Sequence, residues 1–237
     1  TSPTDYSPIP ITIMFSEDVT SFESSDVTVA NGILNDFSGS GTTYTMNITP
    51  SDEGEVTVDV AADVIQDGAG NGNTVAPQFS INYDSIGPRL VSSFPKDDTH
   101  GVSVSAGLII TFSENVFIGT GNIDIKKSSD NSSVQTINVA DTNVTVSNEK
   151  ASIAIEDLEG ETDYYILIDS TSFKDELGNH YPGISSATTW DFITADIAAP
   201  ELNITSTLAS PTNVAMIPIS VTFSESVTGF ESSEVTV

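Results

Sequence analysis

Acidic and asparagine side chains recur at matching positions along the chain, and their types and spacing are suited to binding a hard cation. They belong to two Asp-x-x-Gly-Asn turns, to three copies of a Phe-Ser-Glu-x-Val motif, and to two aspartates that each stand four residues before a proline. The residues are Asp67, Asn71, Asp175, Asn179, Glu17, Glu114, Glu225, Asp84 and Asp196. Because Ca²⁺ takes six to eight oxygen ligands in flexible geometry, calcium is the ion this set predicts.

The elements that must position these residues are short β-strands. Each Phe-Ser-Glu motif ends a run of alternating apolar residues, at 9–15, 108–112 and 217–223, and this period of two is typical of a half-buried strand. The same reading predicts further strands at 26–30, 43–48, 55–60, 78–83, 122–127, 134–139, 143–147, 152–156, 164–169 and 188–194. Since no stretch has a convincing helical period, the fold class is all-β, with many short strands separated by turn residues.

An internal repeat divides the chain. Residues 2–29 align without a gap with residues 210–237, and 18 of the 28 positions are identical. Two short linkers also match, Asp84 to Pro88 and Asp196 to Pro200. In both, proline restricts the backbone conformation of the joint. The expected domains are 1–86, which lacks its first strand, 87–198, and 199–237, which holds the opening strands of a third domain.

These motifs resemble known families. The first and third domains resemble bacterial immunoglobulin-like (Ig-like) repeats of giant biofilm and adhesion proteins, on the Phe-Ser-Glu-x-Val motif, Phe22 to Val29 and Asp67 to Asn71. The middle domain is similar to the Ig-like domain of S-layer proteins, on Phe94 to Asp98 and other markers: Phe112–Glu114, Thr162–Tyr164, Asp175–Asn179 and Phe192–Thr194. The resemblance implies tandem Greek-key β-sandwiches in a linear array, with Tyr164 placed for a tyrosine corner.

In a seven-strand sandwich, the end of the second strand and the loop between the last two strands lie at the pole where the chain enters. This geometry places Glu17 near Asp67 and Asn71, and Glu114 near Asp175 and Asn179. The linker residue Asp84 reaches the second of these groups, and Asp196 likewise approaches Glu225. We therefore expect a calcium site at the first junction. The alternative is that Asp-x-x-Gly-Asn is only a tight turn, because Gly and Asn tolerate left-handed conformations.

Charge and composition exclude several function classes. Six Lys and Arg stand against 34 Asp and Glu, for a net charge of −28, so clustered cations that would bind phosphates are missing and nucleic acid is excluded as a partner. No apolar run approaches the roughly 18 residues that span a bilayer. With no cysteine, no Gly-x-Ser-x-Gly elbow and a single tryptophan, the sequence predicts no enzyme.

The function expected from these observations is a structural spacer or stalk in a secreted or cell-surface adhesin, with Ca²⁺ stiffening the domain junctions. Its partners are neighbouring Ig-like domains of the same polypeptide or of adjacent copies. Two alternatives stay open: a self-assembling extracellular filament or S-layer subunit joined by strand addition, and an accessory module of a secreted glycan-active enzyme. Strand addition is an alternative because an open sandwich edge accepts a strand from elsewhere.

Overall fold

A computed structural model describes residues 2–236, and it is almost entirely β-structure. The prediction of an all-β chain is confirmed. The strands fall into three groups, here called units one, two and three, and each sheet draws its strands from one unit. The strands of unit one are β1 (Ile9–Thr20), β2 (Val27–Ala30), β3 (Gly32–Pro50), β4 (Gly54–Val60), β5 (Gln66–Asp67) and β6 (Phe79–Tyr83).

Unit one is a sandwich of two three-stranded sheets, in the orders β3-β1-β5 and β2-β4-β6. The alternating residues of β1 and β4 put Ile9, Ile11, Val56 and Val58 into the core between the sheets. The residues just before β1 join the β2-β4-β6 sheet, where Thr4 forms an isolated parallel β-bridge with Tyr83 of β6. β5 pairs with β1 only at Val19 and Thr20, so within residues 2–236 the outer edge of β1 from Ile9 to Phe15 has no strand beside it.

Unit two is a larger sandwich. Its strands are β7 (Leu90–Phe94), β8 (Thr99–Val102), β9 (Leu108–Phe112), β10 (Phe117–Ile118), β11 (Asn122–Lys127), β12 (Ser133–Asn138), β13 (Val144–Ser147), β14 (Lys150–Ile153), β15 (Asp163–Ile168), β16 (Phe173–Lys174) and β17 (Asp191–Thr194). One sheet has the order β13-β14-β9-β7 and the facing sheet has the order β12-β11-β15-β17-β8, with β10 and β16 as a separate pair. All pairings are antiparallel except β8 with β17, which run parallel.

The core of unit two is well filled by large side chains. Phe112, Tyr164, Trp190 and Phe192 are at most 1% exposed. The Tyr164 hydroxyl accepts a hydrogen bond from the Glu159 backbone N–H at 3.0 Å, which is the bond of a tyrosine corner. The indole Nε1 of Trp190 donates to the Pro95 carbonyl at 2.8 Å, so the one tryptophan packs in the core and has its polar atom satisfied.

Unit three is a single hairpin with little core. β18 (Leu202–Thr205) pairs antiparallel with β19 (Ser220–Phe223), and a short 3₁₀ helix follows at Ser232–Glu234. A matching 3₁₀ helix stands at Ser24–Asp26 in unit one, as the sequence repeat requires. All four residues of β18 are exposed, and on β19 the ring of Phe223 packs edge-to-face against Phe230 at 5.0 Å.

The observed strands differ from the predicted ones mainly in where the strands end and in the edge strands of the sheets. β3 is much longer than the predicted strand at 43–48, and side-chain hydrogen bonds join its two ends, as from Asn35 Nδ2 to Thr49 Oγ1 at 3.2 Å. The predicted strand at 152–156 is β14 at Lys150–Ile153, and the prediction at 188–194 shortens to Asp191–Thr194. β7 and β8 were not predicted, because as edge strands they alternate poorly between apolar and polar residues.

Candidate metal site at the domain junction

The linker between units one and two is fastened to both. On the unit one side, the Ser85 backbone N–H and Oγ donate to the Glu53 carboxylate at 2.9 and 2.6 Å. On the unit two side, Asn179 Nδ2 donates to the Asp84 carbonyl at 3.3 Å. Gly87 lies so close to the His180 carbonyl oxygen that an added Cβ would overlap it. The linker therefore takes a defined path between the two units.

Three carboxylates meet where this linker enters unit two. One oxygen from each of Asp84, Glu114 and Asp175 lies within 4.8 Å of the others. Asp84 belongs to the linker, Glu114 follows the end of β9, and Asp175 follows β16. The topology brings them together because β9 and the loop after β16 both end at the pole where the chain enters.

Asp175 is the fixed member of this group, since its side chain is only 2% exposed. Its Oδ1 accepts the backbone N–H groups of Leu177, Gly178 and Asn179 at 2.9, 2.7 and 2.8 Å, and its Oδ2 accepts Asn179 Nδ2 at 2.8 Å. These bonds offset the cost of burying a charge. An ionised carboxylate has about four acceptor positions, so Oδ2 keeps capacity for a further partner.

The electrostatics of the group are repulsive. Burial raises the pKa of Glu114, and the charges of Asp84 and Asp175 raise it further. Burial likewise raises the pKa of Asp84, with a contribution from the charge of Asp175. Within residues 2–236 the one ion pair is Lys127 with Glu159, far from this junction in sequence. A cation held between the three carboxylates would remove this repulsion.

The other predicted residues of unit one lie around a groove but do not form a comparable group. Glu17, Asp67 and Asn71 all line the groove beside the end of β1. The Asp67 carboxylate is occupied by its own turn, accepting the N–H groups of Ala69 and Asn71 at 2.8 Å and Asn71 Nδ2 at 2.7 Å. Asp175 makes the same kind of turn bonds in unit two, so what distinguishes unit one is that its described residues place no group of three carboxylates around this turn.

The second linker repeats part of the first junction. A hydrogen bond with Asp196 raises the pKa of Glu225, and burial and the charge of Asp196 add to the shift. The structure therefore brings these two predicted residues together, with Glu161 as a further nearby charge. Asp196 in the linker is exposed and Glu225 after β19 is partly exposed, and the described residues supply no buried aspartate equivalent to Asp175 there.

Sequence reasoning missed a second group of three carboxylates, Asp97, Asp98 and Asp191. Asp97 Oδ1 accepts the Asp191 backbone N–H at 3.0 Å, and the Asp98 N–H donates to the Asp191 carbonyl at 3.0 Å. The adjacent aspartates at 97 and 98 were the only signal in the sequence. Their partner comes from β17, 93 residues later, through the parallel pairing with β8.

A second missed feature is the role of the serine in Phe-Ser-Glu. In unit two, Ser113 N–H donates to the Arg89 carbonyl at 2.9 Å and Ser113 Oγ accepts the Arg89 N–H at 3.0 Å. In unit three, Ser224 makes the same two bonds with Glu201, at 2.9 and 2.8 Å. This pair of bonds, called the serine clip below, fastens the start of the first strand to the end of the second.

The donor set at the first junction fits calcium. Three carboxylates supply hard oxygen ligands, and Ca²⁺ accepts such ligands in variable number and geometry, with water completing the shell. Asn179 stays a predicted ligand through its Oδ1, and both hydrogens of its amide are used, one on Asp175 and one on the linker carbonyl. Its observed contact fastens the linker.

Comparison with known proteins gives two matches along the chain. Residues 6–83 match a family model described as a bacterial Ig-like domain, and residues 84–194 match another model with the same description. No curated protein matches the chain. Within residues 2–236, no helix is long and apolar enough to cross a membrane.

Proposed function

Because the chain carries two tandem bacterial Ig-like domains over residues 6–194, we propose that it is a structural spacer segment of a secreted or cell-surface adhesin, and that Ca²⁺ at the first junction stiffens it. Domains of this kind are typically non-catalytic and are commonly extracellular or surface modules. A spacer needs domains that fold independently and joints that keep their direction, and each unit here has its own sheets.

The observation that carries the calcium proposal is the position of Asp84. Its carboxylate comes from the linker, whereas Glu114 and Asp175 come from unit two. An ion bound by all three would join the linker to the pole of unit two, next to the existing Asn179 hydrogen bond. The joint would lose conformational freedom when the ion binds, and the tandem units would keep an extended arrangement.

The test combines thermal unfolding with small-angle X-ray scattering, both in EDTA and in millimolar Ca²⁺ with Mg²⁺ as a control. We expect Ca²⁺ to raise the melting temperature, by mass action on the folded state, and to narrow the distribution of interdomain distances. Asp84→Asn is the diagnostic variant, because it removes the linker ligand and leaves the core of unit two intact.

The matched control is Asp141→Asn, which changes an exposed aspartate outside the acidic groups. The control should respond to Ca²⁺ as the unmodified chain does, whereas Asp84→Asn should lose most of the effect on interdomain distances. Equal responses of the two variants would refute the junction site. A scattering profile that is the same in EDTA and in Ca²⁺ would refute the stiffening.

A further inference from the structure

The chain from Asp84 to Phe94 lies on unit two but contributes little to its core. This segment, called the entry strap below, consists of the first linker, Arg89 and β7. Of its eleven residues only Pro88 is buried, and no residue of β7 is buried. Leu90 is the residue of β7 that packs against the core, and it is only partly buried. Lifting the strap from unit two would therefore expose little apolar surface, so the hydrophobic effect resists this opening only weakly.

The hydrogen bonds that hold the strap lie mainly at a sheet edge. β7 is an edge strand that pairs with β9 alone, and a bulge between Leu90 and Ser92 interrupts the pairing. The serine clip between Ser113 and Arg89 fastens the start of β7, and the 3.3 Å bond from Asn179 holds the linker. When an edge strand opens, water replaces its one set of backbone hydrogen bonds, so the net cost of each bond is small.

The chain is held firmly again directly after β7. Pro95 is buried, and its carbonyl accepts a hydrogen bond at 2.8 Å from Nε1 of Trp190, which is fully buried. Asp97 Oδ1 accepts the Asp191 N–H, and the Asp98 N–H donates to the Asp191 carbonyl, both at 3.0 Å. From this corner the chain continues into β8, which pairs with β17 in the other sheet. Opening of the strap therefore ends at Pro95 and leaves the core strands of both sheets in place.

We propose that the entry strap opens from unit two while the core stays folded, so that the joint between units one and two has a closed and a released state. In the closed state the strap lies along β9 and the linker is short. In the released state its eleven residues form a flexible tether of up to roughly 35 Å. This goes beyond the spacer function, because the spacer gains reserve length without unfolding a domain. The opening needs no ion; Ca²⁺ bound at Asp84 would favour the closed state, and that addition alone rests on the proposed function.

Native-state hydrogen exchange of the full chain in EDTA tests the opening. β8 is the matched comparison within the same molecule, because it is also a short edge strand of unit two. We expect the amides of β7 to exchange at least about tenfold faster than those of β8, with little change in low urea, because opening the strap exposes little surface. Rates no faster than those of β8, or a urea dependence as steep as that of global unfolding, would overturn the proposal.

The chain has no cysteine, so an engineered disulfide can close the strap. Ser92 lies opposite Thr111 in the pairing of β7 with β9, and antiparallel neighbours of this kind are within reach of a disulfide. In the chain carrying Ser92→Cys and Thr111→Cys, oxidation should slow exchange in β7 at least about tenfold and narrow the distribution of interdomain distances measured by scattering. Reduction of the same protein should reverse both changes. An oxidised chain that scatters like the reduced one in EDTA would refute the released state.

Ser113→Ala and Ser152→Ala are a matched pair of variants for the serine clip. Ser152 is exposed on β14 in the same four-stranded sheet, and of the two serines Ser113 is the one that bonds the strap. Losing that bond should speed exchange in β7 roughly fivefold and leave exchange in β8 unchanged, whereas Ser152→Ala should change neither. Equal effects of the two variants would contradict the role of the clip. Since all these measurements are made in EDTA, their failure is distinct from a failure of the calcium site.

Discussion

Replacing Glu114 by Gln should have two opposite effects, depending on calcium. The substitution removes one of three charges that lie within 4.8 Å of one another and keeps the shape of the side chain. In EDTA it relieves repulsion, so the melting temperature should rise. In Ca²⁺ it removes a ligand, so the rise in melting temperature on adding calcium should shrink.

The magnitude follows from Coulomb's law. Two unit charges 4.8 Å apart repel by about 3.5 kcal/mol at an effective dielectric constant of 20, and by about 0.9 kcal/mol in bulk water. Glu114 and Asp84 are partly exposed, so solvent and salt screen them towards the lower limit. Losing the two repulsive pairs of Glu114 should stabilise unit two by about 1–3 kcal/mol, or about 4–12 °C in melting temperature.

The assay is thermal unfolding followed by circular dichroism, with Glu149→Gln as control because Glu149 is exposed and outside both acidic groups. A calcium concentration one hundred times Kd stabilises the folded state by about 2.7 kcal/mol, and a tenfold loss of affinity removes about half of that. A Glu114→Gln chain that melts lower than the unmodified chain in EDTA, or that keeps the full response to calcium, would refute this account of the junction.

Three further predictions concern the same two units. Gly87→Ala should loosen the junction, because the new Cβ overlaps the His180 carbonyl. The distribution of interdomain distances measured by scattering should broaden while the melting temperature of unit two changes little, and an unchanged distribution would contradict the packing described. The pKa values of Asp84 and Glu114 are raised in the folded state, so in EDTA the free energy of unfolding should fall as pH rises through those values. The affinity for calcium should increase over the same pH range, and melting temperatures measured at a series of pH values, with and without Ca²⁺, test both directions. Tyr164→Phe should cost about 1–2 kcal/mol in urea unfolding through the lost corner bond, whereas Tyr6→Phe, at a side chain 72% exposed, should cost nothing measurable.

Sequence patterns predicted the strands that have one buried face. β9 alternates Leu108, Ile110 and Phe112 into the core, and this period is visible in the sequence because one face of the strand is covered. β5, β10 and β16 are two residues long and carry no period at all. The edge strands β7 and β8 were missed because an edge position tolerates serine, histidine and glycine where a central strand has apolar residues.

The part of the candidate site that could be predicted is the part that strand topology determines. Strand direction alone places the residue after β9 and the loop after β16 at one pole, and this was enough to group Asp84, Glu114 and Asp175. The use of Asn179 depended on the orientation of an amide, and the serine clip depended on contacts with a residue more than twenty positions away. Such side-chain to backbone contacts are not recorded in local sequence patterns.

The parallel pairing of β8 with β17 has a mechanical consequence. Tension along the chain pulls Thr99 towards the side where the linker enters and Thr194 towards the side where the next linker leaves, so the two strands are loaded in shear. The pairs Phe192–Thr99, Ile193–His100 and Thr194–Val102 must then break almost together, whereas strands pulled apart from one end would open one bond at a time. Resistance to force is governed by the height of the unfolding barrier. Together with the pairing of β7 and β9, through which the tension passes first, this small ladder resists extension of unit two.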